Sequence, residues 1–169
     1  MNPKRNRYKP GAPLLPAIIG SGFGAGYCPF GPGTAGSLLA TLVWYMLSVF
    51  LSDPLLKLVT LVLLCLFYVL GVWATNRLTL YWGEDPSRVV VDEMIGVWIS
   101  LLAVPAGHLW YAIAALVLFR FFDIVKPFGI RQMEAIRGGV GVMMDDVLAG
   151  IYVFFILYIV QNIILPLCG

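Results

Sequence analysis

The chain has 169 residues, of which 60% are hydrophobic and only 12% are charged. Soluble domains have roughly 45–50% apolar and about 25% charged residues, so this composition disfavours a soluble protein and predicts a single membrane domain. The net charge of +2 is too small for a nucleic-acid-binding surface, and the basic residues form no stripe.

The N-terminus is basic and is not followed by a signal-peptide cleavage pattern. It holds four cations: Lys4, Arg5, Arg7 and Lys9. We predict a cytoplasmic leader over residues 1–16 and one membrane-embedded catalytic domain over residues 17–169.

A glycine-rich segment precedes the first apolar run. Residues 20–36 contain seven glycines and two prolines, with Thr34 inside the segment and Ser37 directly after it. Backbone N–H groups of such a turn, together with a helix N-terminus, can bind phosphate. No Lys follows as in a Walker A loop, so the alternative is an interfacial loop with Ser37 as an ordinary N-cap.

Apolar runs predict an all-α, polytopic membrane bundle of about four to five helices. Residues 55–75 and the run from about 147 to 165 are each about 20 residues long, enough to cross a ~30 Å hydrocarbon core. Three shorter runs are expected to be sheltered by neighbours or to thin the bilayer: residues 37–51, 93–104 and 109–122.

Charge predicts the orientation. With the N-terminus in the cytoplasm, ten of the eleven basic residues lie on the cytoplasmic side and only Lys57 lies outside. Asp53 is the one exterior carboxylate, and because Pro54 follows it, a helix cap explains it. We therefore expect the other acids, and the active site, at the cytoplasmic face.

Two adjacent acid pairs are each predicted to open a helix. Asp92-Glu93 precedes one apolar run and Asp145-Asp146 precedes the last. Negative side chains at a helix start complement the macrodipole, so caps are the simple explanation of either pair. Two pairs on the same side of one small protein favour a metal site instead.

A cation–acid–cation series ends another helix. Arg120, Asp123 and Lys126 are spaced by three, which places them on one helix face, and Pro127 then ends the helix. The series is either a salt-bridge ladder or a phosphate site in which Asp123 orients the cations or binds metal. Together with the acid pairs it matches a Mg²⁺ site that also binds a phosphate.

Several kinds of phosphatase are excluded. The single histidine, His108, is expected in an exterior turn, which rules out a histidine-nucleophile lipid phosphatase. The cysteines have neither metal-ligand spacing nor an Arg placed for a cysteine-phosphatase loop.

Four segments resemble the phosphatidylglycerophosphatase A family, in the family's order. They are GTAGS at 33–37, DEMIG at 92–96, FRFFDIVKP at 119–127 and GGVGVMMDDVLAG at 138–150. The resemblance implies a Mg²⁺-dependent enzyme of the bacterial inner membrane. Such an enzyme removes the terminal phosphate of phosphatidylglycerophosphate, a phospholipid substrate in the membrane, and yields phosphatidylglycerol for phospholipid biosynthesis.

With this resemblance, each site residue is given a hypothetical role. The predicted metal ligands are Asp92, Glu93, Asp145 and Asp146. The predicted phosphate-binding residues are Thr34, Ser37, Arg120 and Lys126. Asp123 joins the four metal-binding acids as a catalytic candidate. Direct attack by water and a phospho-aspartyl intermediate both remain open.

The alternative function is a small ion-coupled transporter, because carboxylates near a membrane also mark ion pathways. A transporter is more often built on repeats, with charges near mid-membrane and at both faces. The one-sided charges and the lack of a repeat disfavour it.

Overall fold

The computed structural model describes residues 11–84, 86–127, 129–133, 136 and 138–164. Every regular element within these ranges is helical, which confirms the all-α prediction. Most of the predicted leader, residues 1–10, lies outside the described part, and so do Glu134 and Arg137 of the connector before the last helix.

In the described part, seven α-helices follow one another: α1 (Leu14–Gly20), α2 (Pro32–Phe50), α3 (Asp53–Trp82), α4 (Val91–Leu101), α5 (Leu109–Val125), α6 (Ile130–Met133) and α7 (Gly139–Ile159). A 3₁₀ turn (Ala25–Tyr27) lies between α1 and α2, and a π-helical turn (Val160–Ile164) continues α7.

Three helices are long and apolar enough to cross a membrane. They are α2 with 19 residues, α3 with 30, and α7 with its continuation to Asn162, with 24. At 1.5 Å per residue, α5 extends about 25 Å and α4 only about 16 Å. The described chain therefore has three strong span candidates, and α4 and α5 are shorter than these.

Helix α2 begins five residues earlier than the apolar run predicts. Gly31 has a φ of +106°, and Pro32 occupies the first turn, where its fixed φ suits a helix. Gly33 and Thr34 are therefore helical, and the prediction that the helix starts at Ser37 is wrong.

Helix α7 also begins earlier than predicted. Its first residue is Gly139, whose N–H donates a 2.7 Å hydrogen bond to Oδ1 of Asn76 on α3. Asp145 and Asp146 lie about two turns into the helix, so the prediction that they open it is wrong. They are buried at the level where α7 meets α4.

Helix α4 lies at the centre of the bundle, and glycines allow it to approach α7 closely. A Cβ placed on Gly150 would collide with the Gly96 carbonyl, and one on Gly96 would collide with the Phe119 ring. The Ser100 hydroxyl donates to the Gly96 carbonyl at 3.1 Å and lies 3.4 Å from the Gly150 carbonyl. Small residues of this kind let helix backbones meet.

The turn after α4 reaches the end of the bundle where α2 and α3 join. There the Ala106 N–H donates to Oδ1 of Asp53 at 2.9 Å, and Asp53 pairs with Lys57 at 2.7 Å. Residues 91–106 thus connect the end that holds the acid pairs to the opposite end. Helix α5 then returns to the acidic end.

We expect Gly150→Ala to lower stability by about 1–3 kcal/mol, because the added methyl group overpacks the contact with α4. Thermal unfolding in detergent micelles, followed by circular dichroism, measures the change. Val62→Ile adds one methylene at an exposed position of α3 and serves as the control. An unchanged melting temperature for Gly150→Ala would contradict the close α4–α7 packing.

Candidate active site

Three carboxylates from α4 and α7 converge at the acidic end of the bundle. One oxygen each from Asp92, Glu93 and Asp146 lies within 4.8 Å of the other two. Asp92 and Asp146 are buried, at 7% and 3% exposure. The structure thus brings together three of the four acids that were predicted as metal ligands.

The two acid pairs share a local geometry. Oδ1 of Asp92 accepts from the N–H of Glu93 at 3.1 Å, and Oδ1 of Asp145 accepts from the N–H of Asp146 at 3.0 Å. Each first acid thus has one oxygen held by backbone. The second acid of each pair, Glu93 and Asp146, extends into the cluster.

Arg120 and Asp123 form an ion pair beside the cluster. Nη1 of Arg120 lies 2.6 Å from Oδ2 of Asp123, and both side chains are less than one-fifth exposed. Nε of Arg120 is buried and has no hydrogen-bond partner among the described residues. A guanidinium N–H without a partner in a buried site is suited to an anionic oxygen of a ligand.

Lys126 is directed at the other acid of α7. It follows the end of α5 in a left-handed conformation with φ of +49°, and its Nζ lies 2.7 Å from Oδ2 of Asp145. Asp145 therefore contacts a cation, and it is not part of the three-carboxylate cluster. Lys126 leaves the helix that carries Arg120 and Asp123 and reaches across to α7.

The first turn of α2 closes the site from another side. A Cβ placed on Gly33 would collide with Oε1 of Glu93 and lie 3.1 Å from Nη1 of Arg120, so only glycine leaves room for both. The first N–H groups of a helix have no partner within it. Of the four residues in the first turn of α2, Pro32 has no N–H group and Ala35 donates its N–H to the Gly31 carbonyl. The N–H groups of Gly33 and Thr34 are therefore the ones that a ligand can use.

The two hydroxyl residues predicted to bind phosphate lie in different environments. Ser37 is fully buried, and its hydroxyl donates to the Gly33 carbonyl at 2.9 Å. It supports the turn of α2 that contacts Glu93. Thr34 is exposed beside Gly33, where its hydroxyl has access to a ligand.

Among the described residues, the charges near the cluster do not balance. Five carboxylates of the described part (Asp92, Glu93, Asp123, Asp145 and Asp146) face two of its cations (Arg120 and Lys126), an excess of three negative charges if all are ionised. Asp123 repels both Glu93 and Asp146. Buried charges need partners of opposite sign, so this part of the site is suited to an additional cation.

The cluster fits a divalent cation. Oε2 of Glu93 and Oδ1 of Asp146 are buried without a hydrogen-bond partner in the described part of the chain. Mg²⁺ takes oxygen ligands at about 2.0–2.1 Å, so any two of its ligands lie at most about 4.2 Å apart, and the three oxygens of this cluster already lie within 4.8 Å of one another. Asp92, Glu93 and Asp146 would hold the ion.

One contributor to the site carried no recognisable signal in the sequence, and three glycines of the matched segments had no individual role assigned there. Asn76 caps α7 from 63 residues away. Gly33 belongs to the GTAGS segment, but its contact with Glu93 and Arg120 appears only in the structure. Gly96 and Gly150 depend on the pairing of α4 with α7, which only a three-dimensional arrangement reveals.

The apolar helices and the buried site of acids and cations define a helical membrane protein suited to metal-assisted chemistry on a phosphate. The phosphatidylglycerophosphatase A family model matches residues 18–161. The chain belongs to this family, a family of phosphatase enzymes, which confirms the resemblance seen in the sequence.

Three relatives match most of the chain. A protein of Bacteroides thetaiotaomicron named putative phosphatidylinositol-3-phosphatase is 57% identical, covering 89% of this chain and 96% of its own length. The phosphatidylglycerophosphatases A of Escherichia coli and Haemophilus influenzae are 37% and 39% identical. Those matches cover 86% and 85% of this chain, and 83% and 87% of the relatives. No solved structure matches the chain.

We expect Asp146→Asn to weaken divalent-cation binding by more than about tenfold, because it removes one of three convergent carboxylates. Electron paramagnetic resonance of Mn²⁺, which shares the oxygen-ligand preference of Mg²⁺, measures the affinity. Asp145→Asn is the matched control, since Asp145 contacts Lys126 and should leave Mn²⁺ binding nearly unchanged. Equal losses in the two variants would make Asp145 a ligand.

Proposed function

We propose that the protein is a Mg²⁺-dependent phosphatidylglycerophosphatase, which hydrolyses phosphatidylglycerophosphate to phosphatidylglycerol and inorganic phosphate. The observation that carries the proposal is the cluster of Asp92, Glu93 and Asp146 beside Arg120. Two phosphatidylglycerophosphatases A that match over more than four-fifths of this chain support the substrate.

The acids divide into two roles. Asp92, Glu93 and Asp146 would hold the cation, which would supply charge neutralisation at the phosphoryl group and lower the pKa of a water molecule. Asp145 holds Lys126 in place across the gap between α5 and α7. This assignment differs from the set proposed from sequence alone, in which Asp145 was a fourth ligand.

The phosphate binds beside the cluster, where Arg120 and the first turn of α2 meet. Arg120 donates from Nε and its terminal nitrogens to phosphoryl oxygens, and Asp123 fixes the guanidinium. Lys126 adds a second cation. The N–H groups of Gly33 and Thr34 and the Thr34 hydroxyl complete the binding site, and Ser37 contributes by holding the Gly33 carbonyl.

The reaction breaks the bond between phosphorus and the glycerol oxygen. In the direct route, water forms the new bond to phosphorus, and the glycerol oxygen takes a proton and leaves as an alcohol. In the alternative route, an aspartate is phosphorylated first and water then cleaves the phospho-aspartate. Fixed cations that stabilise charge in the transition state serve either route.

We also propose five membrane crossings, with the N-terminus and the active site on the cytoplasmic side of the inner membrane. Support comes from the contact of Ala106 with Asp53, which brings residues 91–106 from the site to the opposite end of the bundle. Helices α2, α3, α5 and α7 make the other four crossings. Residues 17–169 form the one catalytic domain.

A second candidate substrate is phosphatidylinositol 3-phosphate. The Bacteroides thetaiotaomicron relative carries the corresponding name, and its 57% identity exceeds that of the two phosphatidylglycerophosphatases. Both substrates are diacyl phospholipids whose polar headgroup carries a phosphate monoester, so the same acids and cations serve both. They differ in the alcohol, which is a small glycerol in one and an inositol ring in the other. No relative supports the transporter alternative.

Purified protein in detergent micelles should release phosphate from phosphatidylglycerophosphate with Mg²⁺, and EDTA should abolish the release. Arg120→Lys should lower kcat/KM by about 100-fold, because lysine cannot reproduce the planar, multidentate contact with phosphate. Malachite green detection of phosphate measures both effects.

Phosphatidylinositol 3-phosphate is assayed in parallel as the competing substrate. Lys57→Met removes an exposed cation at the opposite end of the bundle and is the control for Arg120→Lys. A kcat/KM that is higher for the inositol lipid would replace the proposed substrate. Undiminished release in EDTA would eliminate the metal role.

A further inference from the structure

An apolar groove opens on the outside of the bundle between α3 and α7. Its volume is about 420 Å³, within the usual range of ligand pockets. It is lined by Leu64, Cys65, Tyr68, Val69, Ile99, Met144 and Val147. The lining offers one thiol and one hydroxyl, and the Tyr68 hydroxyl lies 3.8 Å from Sδ of Met144. The groove is therefore suited to hydrocarbon.

The groove is the place where the central helix can be reached from outside. Within α4, only Glu93 and Ile99 are not fully buried. Glu93 belongs to the acid cluster, and Ile99 forms the floor of the groove. The walls are open, since Cys65 and Val69 are exposed on α3.

The groove begins at the height of the acids. Met144 immediately precedes Asp145, and Val147 immediately follows Asp146. Along α4, Ile99 lies six residues beyond Glu93, or about 9 Å deeper. The groove and the acid cluster lie on different sides of α7. The distance between them is therefore about the diameter of one helix, 10–12 Å.

We propose that this groove binds an acyl chain of the lipid whose phosphate occupies the active site. In phosphatidylglycerophosphate, about a dozen bonds separate the terminal phosphorus from the first acyl methylene group, which is enough to cross the about 10–12 Å width of one helix from the cluster to the groove. The inference rests on the proposed function only in placing a lipid phosphate at the acid cluster. Chain binding positions the headgroup and favours long-chain over short-chain substrates.

Val69→Trp places a large ring in the groove, and Val62→Trp makes the same change at an exposed position of α3 outside the lining. In mixed micelles, Val69→Trp should raise KM for dipalmitoyl phosphatidylglycerophosphate about tenfold, the loss expected from displacing about two methylene groups. KM for the dihexanoyl lipid and kcat for both lipids should stay unchanged. Equal KM changes for both lipids, or equal effects of the two tryptophans, would overturn the proposal.

A binding measurement makes the test independent of turnover. Native mass spectrometry should show dipalmitoyl phosphatidylglycerol retained by the wild-type protein and by Val62→Trp, and about tenfold less by Val69→Trp. Equal retention by all three overturns the groove assignment even if hydrolysis is absent. A dimer that only Val69→Trp dissociates also overturns it, because a second copy of the chain would then cover the groove. If the lipid is retained by the wild type and Val62→Trp but not by Val69→Trp, and no hydrolysis is observed, the proposed function is rejected while the groove assignment stands.

Discussion

The close contact between α4 and α7 is the interaction on which the site depends. Asp92 and Glu93 come from one helix and Asp146 from the other, and their like charges repel at this distance. Gly96 and Gly150 let the two backbones meet about one turn away, so packing holds the carboxylates together. A divalent cation would then meet a site that is already formed, and ordering three side chains would cost little at the moment of binding.

The depth of the site follows from unequal helix lengths. α3 and α7 both continue beyond the acids, and Asn76 ties these extensions together by capping α7. Gly139 lies seven residues before Asp146, so the carboxylates are recessed by about 10 Å from the start of that helix. The short helix α4 begins at the recess and supplies two of its acids, and α5 ends there and supplies its cations. A phosphate at the membrane interface can thus meet buried charges while its hydrocarbon remains in the bilayer.

Composition and motif spacing were sufficient to predict the helical class, the family and the residues near the site. Chain-local signals predicted helix boundaries less well. Pro32 is a local signal for the start of α2, but the glycines around it favoured a loop instead. The start of α7 has no such local signal, because it depends on a hydrogen bond from Gly139 to Asn76 on α3. The sequence could not show that Asp145 and Asp146 have different roles, because both are aspartates. Neighbouring positions on a helix point about 100° apart, and only the packing of the helices decides which of the two contacts Lys126.

The contribution of α7 also has a consequence for how the protein is made. A ribosome completes α2, α4 and α5 before it reaches Asp146, so a nascent chain holds its guanidinium and its first acid pair in the membrane while the third carboxylate is still missing. In the proposed metal site, affinity for the cation would arise only when α7 docks against α4. A chain in which α7 has not yet docked would lack the third carboxylate and hence the complete proposed site.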